Sequence, residues 1–286
     1  DLTYDYTHIS SSPDAINDLG EFGDVLKNAK RPMIVVGEEA TRGESGYATL
    51  KAAHELAKSC GAIVTGDEAW AGFGVLHTAA SRVGALDLGF LPGDGAKTGH
   101  ELLSSNCEDM DTVILLGVDE VPMTQFGDAF VIYIGSHGDA GAARADLILP
   151  APAYTEQSAT YVNTEGRVQT TTMAVQPKGE AKAEWAIMRA ISPLVGHQLP
   201  YDSLDQLRAL LREENDVFAG LNFAPGHSGA AALDAALPEG SQALSDEPLY
   251  CPIGDFYLTN PIARASLTMA ECSLQKQTLE VSAAAE

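Results

Sequence analysis

Five short runs of aliphatic and β-branched residues constrain the fold more than any other feature of the sequence: Pro32–Gly37, Ala62–Thr65, Thr112–Gly117, Phe130–Gly135 and Asp146–Pro150. Each is apolar almost throughout and none alternates, which predicts strands buried on both faces, as in a parallel sheet. Between the first two runs, Tyr47, Leu50, Ala53, Ala57 and Cys60 form one apolar stripe at helical spacing within Ser45–Cys60, and Gly61 stands where a helix C-cap belongs. The expectation is an α/β fold with a mostly parallel, doubly wound sheet, followed by helices and an irregular tail. Ser12-Pro13 offers an N-cap and first-turn pair for a helix carrying Ile16 and Leu19. Beyond the last run, Trp185, Met188 and Ile191 recur at helical spacing up to Pro193 and Gly196. Ser203-Leu204-Asp205-Gln206 has the form of a capping box opening a second helix with Leu204, Leu207, Leu210 and Leu211 on one side.

These patterns divide the chain into an α/β domain over 1–180, a helical extension over 181–214, a linker-like Ala, Gly, Pro and Ser stretch over 215–247, and a carboxyl-terminal docking segment and tail over 248–286. The tail from Gln275 onward reads as frayed. The 286 residues carry a net charge of −23, a field that repels nucleic-acid phosphates and anionic lipid headgroups. No uncharged apolar run approaches the roughly 18 residues of a membrane-spanning helix, so no membrane insertion is expected. Cysteines at 60, 107, 251 and 272 lack C-x-x-C spacing and histidine company, which excludes an ordinary zinc or iron–sulfur ligand set within these residues. The sequence opens Asp1-Leu2-Thr3, without Met and without a secretory-type segment, which is compatible with processing, with an engineered start or with a piece of a longer polypeptide.

Several segments could carry chemistry. Gly37-Glu38-Glu39-Ala40-Thr41-Arg42-Gly43 follows a strand where a dinucleotide fold turns around phosphate, but two carboxylates stand where backbone N–H groups would meet a pyrophosphate. An ordinary strand-to-helix turn is expected there. Ser136-His137-Gly138-Asp139-Ala140-Gly141 follows another strand at its ligand-accepting end. Neighbours this close cannot arrange themselves as nucleophile, base and orienter, so His137 reads as a loop histidine bonded to backbone. In Tyr161-Val162-Asn163-Thr164-Glu165-Gly166-Arg167-Val168-Gln169, Asn163 and Gly166 suit a compact turn that a Glu165–Arg167 ion pair could close. Glu38-Glu39, Asp109 with Asp111, and Glu213-Glu214 read as solvated surface.

Asp146-Leu147-Ile148-Leu149-Pro150, Glu156, and Ser158 through Asn163-Thr164-Glu165-Gly166-Arg167-Val168-Gln169 together resemble a signature of the molybdopterin-dependent oxidoreductases. Gly138-Asp139-x-Gly141-Ala142, Ala153-Tyr154-Thr155-Glu156, Leu199-Pro200-Tyr201-Asp202-Ser203-Leu204 and Asp255-Phe256-Tyr257-Leu258-Thr259-Asn260-Pro261-Ile262-Ala263-Arg264-Ala265-Ser266 with Met269-Ala270 are similar to one branch of that family. The branch is the large iron–sulfur subunit, or G subunit, of the proton-pumping NADH–quinone oxidoreductase, respiratory complex I. The likeness covers roughly 1–214 and 248–272.

The resemblance implies the carboxyl-terminal part of a longer subunit that descends from a molybdenum enzyme without keeping its cofactor. Iron–sulfur clusters would belong to an amino-terminal region outside this sequence, and no catalytic, cofactor-binding or metal-binding residue is assigned. Residues 170–286 hold too little strand-forming sequence for a barrel that grips a pterin dinucleotide. The partners implied are other subunits of the complex I peripheral arm. The location implied is the cytoplasmic face of the bacterial inner membrane or the matrix side of the mitochondrial one. Phe256, Tyr257 and Leu258 are candidate docking anchors. Two alternatives stand beside this reading: an active molybdopterin- or nucleotide-binding oxidoreductase, and a free-standing binding protein for a small acidic or neutral molecule.

Overall fold

The apolar runs fold as short, mainly parallel strands. A computed structural model describes residues 5–42, 45–66, 68–222, 233, 243–249 and 253–283. These fall in two compact units, the first drawn from 1–85, 161–169 and 220–252, the second from 86–160, 170–219 and 253–286. Each unit gathers discontinuous segments of the chain.

In the first unit a single 3-10 turn, Pro13–Asn17, precedes α1 (Glu21–Asn28). The expected Ser12 cap is not made: its hydroxyl donates to the Asp14 carboxylate at 2.5 Å and caps no backbone N–H. Strand β1 (Ile34–Gly37) leads through a 3-10 turn at Glu38–Thr41 into α2 (Gly46–Ser59). Then come β2 (Ile63–Val64), β3 (Trp70–Ala71) and β4 (Phe73–Leu76). β1 and β4 pair in parallel from Ile34 opposite Phe73 to Gly37 opposite Leu76, whereas β2 and β3 form an antiparallel ribbon. Leu26, Ala57, Cys60 and Ala62 make the core, flanked by Leu19, Ile34, Leu56, Ile63 and Phe73. The stripe on α2 is rotated from the one expected. Tyr47 is 64% exposed, and the buried positions are Ala48, Thr49, Ala53, His54, Ala57 and Cys60, with the His54 ring edge-on to Phe73 at 5.4 Å.

In the second unit α3 (Arg82–Asp87, its start in the first unit) and α4 (Gly99–Ser104) come before a three-stranded parallel sheet. Its strands are β5 (Thr112–Leu116), β6 (Phe130–Gly135) and β7 (Leu147–Pro150), in the order β5-β6-β7, with α5 (Ala140–Arg144) connecting the last two. Cys107, Leu115, Phe126, Val131 and Tyr133 form its core. The expectation of strands buried on both faces holds for the central strand: Val131, Tyr133 and Ile134 are buried from both sides. On the outer strands Val35, Ile114, Leu116, Leu147 and Ile148 remain exposed, because a two- or three-stranded sheet has few neighbours to cover an edge strand. Among the described residues the strands are spread over four small sheets in place of one continuous sheet.

The chain continues through the paired strands β8 (Thr160–Val162) and β9 (Val168–Thr170), then α6 (Glu184–Ile191) and α7 (Leu204–Glu214), where the helices were expected. Ser203 caps α7 by accepting from the Gln206 N–H at 3.2 Å, while the Gln206 side-chain carbonyl accepts from Asp202 N–H, one residue earlier than a full capping box requires. The stretch read as linker begins ordered: Asp216–Ala219 is a 3-10 turn that buries Phe218. Apart from Leu233, residues 223–242 lie outside the described ones; further on, Leu249 N–H donates to Ser11 O at 2.8 Å. After Phe256–Leu258, α8 (Pro261–Arg264) and α9 (Leu267–Ala283) carry helix into the tail read as frayed.

Between β8 and β9 the expected turn is built from one side chain. Asn163 Oδ1 accepts from the Glu165 and Arg167 N–H groups, both at 3.0 Å, and Gly166 takes φ +77°, open to glycine without strain. Arg167 pairs with Glu165 at 3.2 Å and donates to Asn222 O at 2.7 Å. Asn163→Ala removes both acceptors and is expected to cost about 1–2 kcal/mol of stability, measured by denaturant unfolding.

Candidate functional site

In parallel sheets ligands bind beyond the carboxyl ends of the strands, and each unit has such an edge. In the first unit it lies beyond Gly37 and Leu76, which stand opposite each other. Glu38, read from sequence as solvated surface, is 4% exposed here. Its Oε2 accepts from Thr78 N–H at 2.8 Å and from the Thr78 hydroxyl at 3.0 Å. Its Oε1 takes Arg42 Nη2 at 2.9 Å, with Arg82 Nη1 at 3.5 Å and the His77 ring on the other oxygen at 3.8 Å. Burial on its own pushes the carboxyl pKa up; the Thr78 N–H, Arg42, the Thr78 hydroxyl and Arg82 outweigh it and bring the group down to about 2. The surface reading failed because, besides nearby Arg42, the donors that make burial tolerable come from Thr78, 40 residues away, and from Arg82. Gly37 is extended, at φ −71°, and leads into a 3-10 turn, as expected of an ordinary strand-to-helix connection.

The second edge lies beyond Leu116 and Gly135, where β5 and β6 end side by side. Asp119 is buried there. One of its oxygens accepts the Tyr133 hydroxyl at 2.8 Å and the other the Gly141 N–H at 2.8 Å, so β5, β6 and α5 are joined by one carboxylate. Burial first, then the hydrogen bond to Asp119, raises the Tyr133 pKa well above the ordinary phenol value. Gly141 is required by proximity: a Cβ there would stand 2.6 Å from the Tyr133 ring and from Val118 O. His137 does not bond backbone through its ring, as expected from sequence; Nδ1 lies 2.9 Å from the Ser136 hydroxyl, and it is the His137 carbonyl that accepts, at 3.4 Å, from Tyr133. Among the described residues no third side chain is bonded to that pair as a relay would need.

The segment after residue 252 supplies the remaining partner of this edge. Arg264 Nε bonds Asp139 Oδ2, Nη2 reaches Glu120 Oε1 at 3.3 Å, and Nη1 donates to Leu258 O at 3.2 Å. Two carboxylates, Glu120 and Asp139, thus share one guanidinium at the strand ends, while Asp119, next to Glu120 in sequence, is taken up by Tyr133 and Gly141. Sequence reasoning singled out Asp139 and Arg264 within motifs but missed Asp119 and Tyr133, which carry no local pattern.

The other signature residues act on backbone. Asp146 Oδ2 accepts the Val131 N–H at 2.8 Å, first among the causes that lower its pKa, and Arg144 donates to Gly127 O and Ala129 O, both at 3.0 Å. Glu156 folds back to accept Ala153 N–H at 3.0 Å. Exposed Glu213 and Glu214 agree with the surface reading, as do exposed Asp109 and Asp111, the former paired with Lys97. Phe256 is 69% exposed, its ring edge-on to Tyr257 at 5.5 Å. Cys60 and Cys107 are buried and Cys272 half-buried, while Cys251 lies outside the described residues. Among the described residues no group of three or more His, Cys, Asp or Glu could hold a metal ion, and no helix is long and apolar enough to cross a membrane.

Comparison with known families and proteins gives concordant matches. The family model for molybdopterin oxidoreductase matches residues 1–193, and that for the C-terminal part of the G subunit of NADH-ubiquinone oxidoreductase matches 222–272. The chain is 38% identical over 279 residues to the mitochondrial 78 kDa subunit of NADH-ubiquinone oxidoreductase of Candida albicans, covering 94% of this chain and 37% of that protein. It is 35% identical over 278 residues to the 75 kDa subunit of NADH-ubiquinone oxidoreductase of Reclinomonas americana, covering 95% and 39%. With the G subunit of NADH-quinone oxidoreductase of Rickettsia bellii the figures are 35% over 257 residues, covering 90% and 35%. The chain spans little more than a third of the length of these relatives.

Two substitutions test the edges. A carboxyl held below its ordinary 4.5 stabilises the fold above that value and loses the contribution as pH falls towards about 2. Glu38→Gln is therefore expected to cost on the order of 2–3 kcal/mol at neutral pH and to flatten acid unfolding below about pH 4.5, followed by circular dichroism. Tyr133→Phe leaves Asp119 buried with one donor fewer and is expected to cost about 1–3 kcal/mol in denaturant unfolding.

Proposed function

This chain belongs to the molybdopterin oxidoreductase family, and we propose that it serves as a non-catalytic scaffold part of the large iron–sulfur subunit of respiratory complex I. In this reading it supports electron transfer from NADH to quinone through iron–sulfur clusters held elsewhere. It works by presenting surface to other subunits of the peripheral arm, at the cytoplasmic face of a bacterial inner membrane or the matrix side of the mitochondrial one.

One observation carries the proposal. The strand-end edge of the second unit, where a family enzyme would hold its ligand, is taken up by the chain's own groups, and the cation among them, Arg264, comes from the segment that matches the family model of the complex I G subunit. The charges there do not fit an anionic pterin dinucleotide. A pyrophosphate would face Asp119, Glu120 and Asp139, and the Gly141 N–H at the start of α5 is already spent on Asp119. At the first unit's edge, Arg42 and Arg82 both face the buried Glu38 carboxylate. No step through a pterin or a metal follows from such surroundings.

Phe256 is the docking anchor the structure supports best, since its ring stays largely in solvent while Tyr257 and Leu258 are half-buried. The match of 1–193 to a family of enzymes favours the second reading, an active pterin-binding oxidoreductase. Metal analysis of the purified protein separates the two: molybdenum and tungsten are expected far below stoichiometry, and one metal atom per chain would overturn the scaffold reading. Phe256→Ala in the full-length subunit is expected to lower the yield of assembled complex, a hot-spot loss of about 2 kcal/mol or more, without shifting thermal unfolding of this chain.

A further inference from the structure

Residues 253–283 make a small assembly of their own. Asp255 accepts the Tyr257 N–H at 2.8 Å with one oxygen and the hydroxyl of buried Ser273 with the other. Asn260 caps α8 by accepting from Ala263 N–H at 2.9 Å, and the Arg264 bond to Leu258 O closes the turn between them. Arg264 pairs this assembly with Asp139 and Glu120, in the loops at the carboxyl edge of the β5–β6–β7 sheet. The three nitrogens of the guanidinium each face a separate acceptor, a geometry that one ammonium nitrogen cannot span.

We infer that Glu120 and Asp139 form a guanidinium-binding site at the carboxyl edge of the sheet, occupied in cis by Arg264, so that residues 253–283 are a strap latched to the sheet at this residue. The inference stands whether or not the chain works within complex I. It gives the strand-end edge a ligand class, a planar cation presented by a polypeptide, opposite in charge to the nucleotides such edges hold in other α/β proteins. Arg264 is then a positioning residue for the exposed Phe256, Leu267 and Leu274 side chains that the strap carries.

Hydrogen–deuterium exchange of the 286-residue chain tests this. In Arg264→Ala, amides of 255–278 are expected to exchange about tenfold faster or more, with Val131–Ile134 unchanged. Arg264→Lys should behave like Arg264→Ala, because it keeps the charge and loses the fork. A non-denaturing concentration of guanidinium ion should restore protection in Arg264→Ala but not when Asp139→Asn is added. Unchanged exchange of the strap in Arg264→Ala, full protection in Arg264→Lys, or guanidinium protection that survives Asp139→Asn would each overturn the inference. If Arg264→Ala does not fold, salt decides on the parent chain: raising it from about 50 mM to about 1 M should speed strap exchange selectively, and strap exchange indifferent to salt would refute the latch.

Discussion

The second unit depends on one buried carboxylate. Asp119 leaves the end of β5, receives the phenol of Tyr133 from β6 and a backbone N–H from the first turn of α5, and so brings three elements to one point. A carboxylate removed from water is tolerated only with donors of this kind. The donors are available because Gly141 has no side chain, which lets α5 lie against the Tyr133 ring. With the strand ends fixed, Glu120 and Asp139 stand near enough to share a guanidinium, and the carboxyl-terminal segment gains its foothold.

The first unit solves a similar problem differently. Glu38 is as buried as Asp119 but faces flexible, half-exposed arginines together with a rigid Thr78 backbone donor. In both units the strand-end edge holds a buried carboxylate whose oxygens are hydrogen-bonded by the chain's own donors. A chain of net charge −23 can bury acids at these places because backbone N–H groups and short-range donors, not distant cations, meet most of the desolvation cost.

What could be read from sequence was what is local. The strands β5, β6 and β7, the helices α2, α6 and α7, and the Asn163–Arg167 turn arise from patterns a few residues long, and the structure has them. β4 went unread, since Phe73-Gly74-Val75-Leu76 is short and interrupted by glycine. Spacing alone puts Tyr47 in the core, whereas the buried stripe centres on Ala53 and Ala57. Glu38, Asp119 and the role of Arg264 are illegible because each has a deciding partner far along the chain, Thr78, Gly141 and Asp139 at 40, 22 and 125 positions, and nothing at the residue itself announces it. The family likeness marked Arg264 as notable without saying what it touches.

The close approach at Gly141 bears on how sequence patterns are used. The Gly138-Asp139-x-Gly141-Ala142 stretch is part of the family likeness, and here steric room and charge balance account for both Gly141 and Asp139. A fingerprint of this kind can therefore record a steric and an electrostatic requirement of the frame, and a search that scores it scores packing and charge pairing whatever chemistry the frame carries.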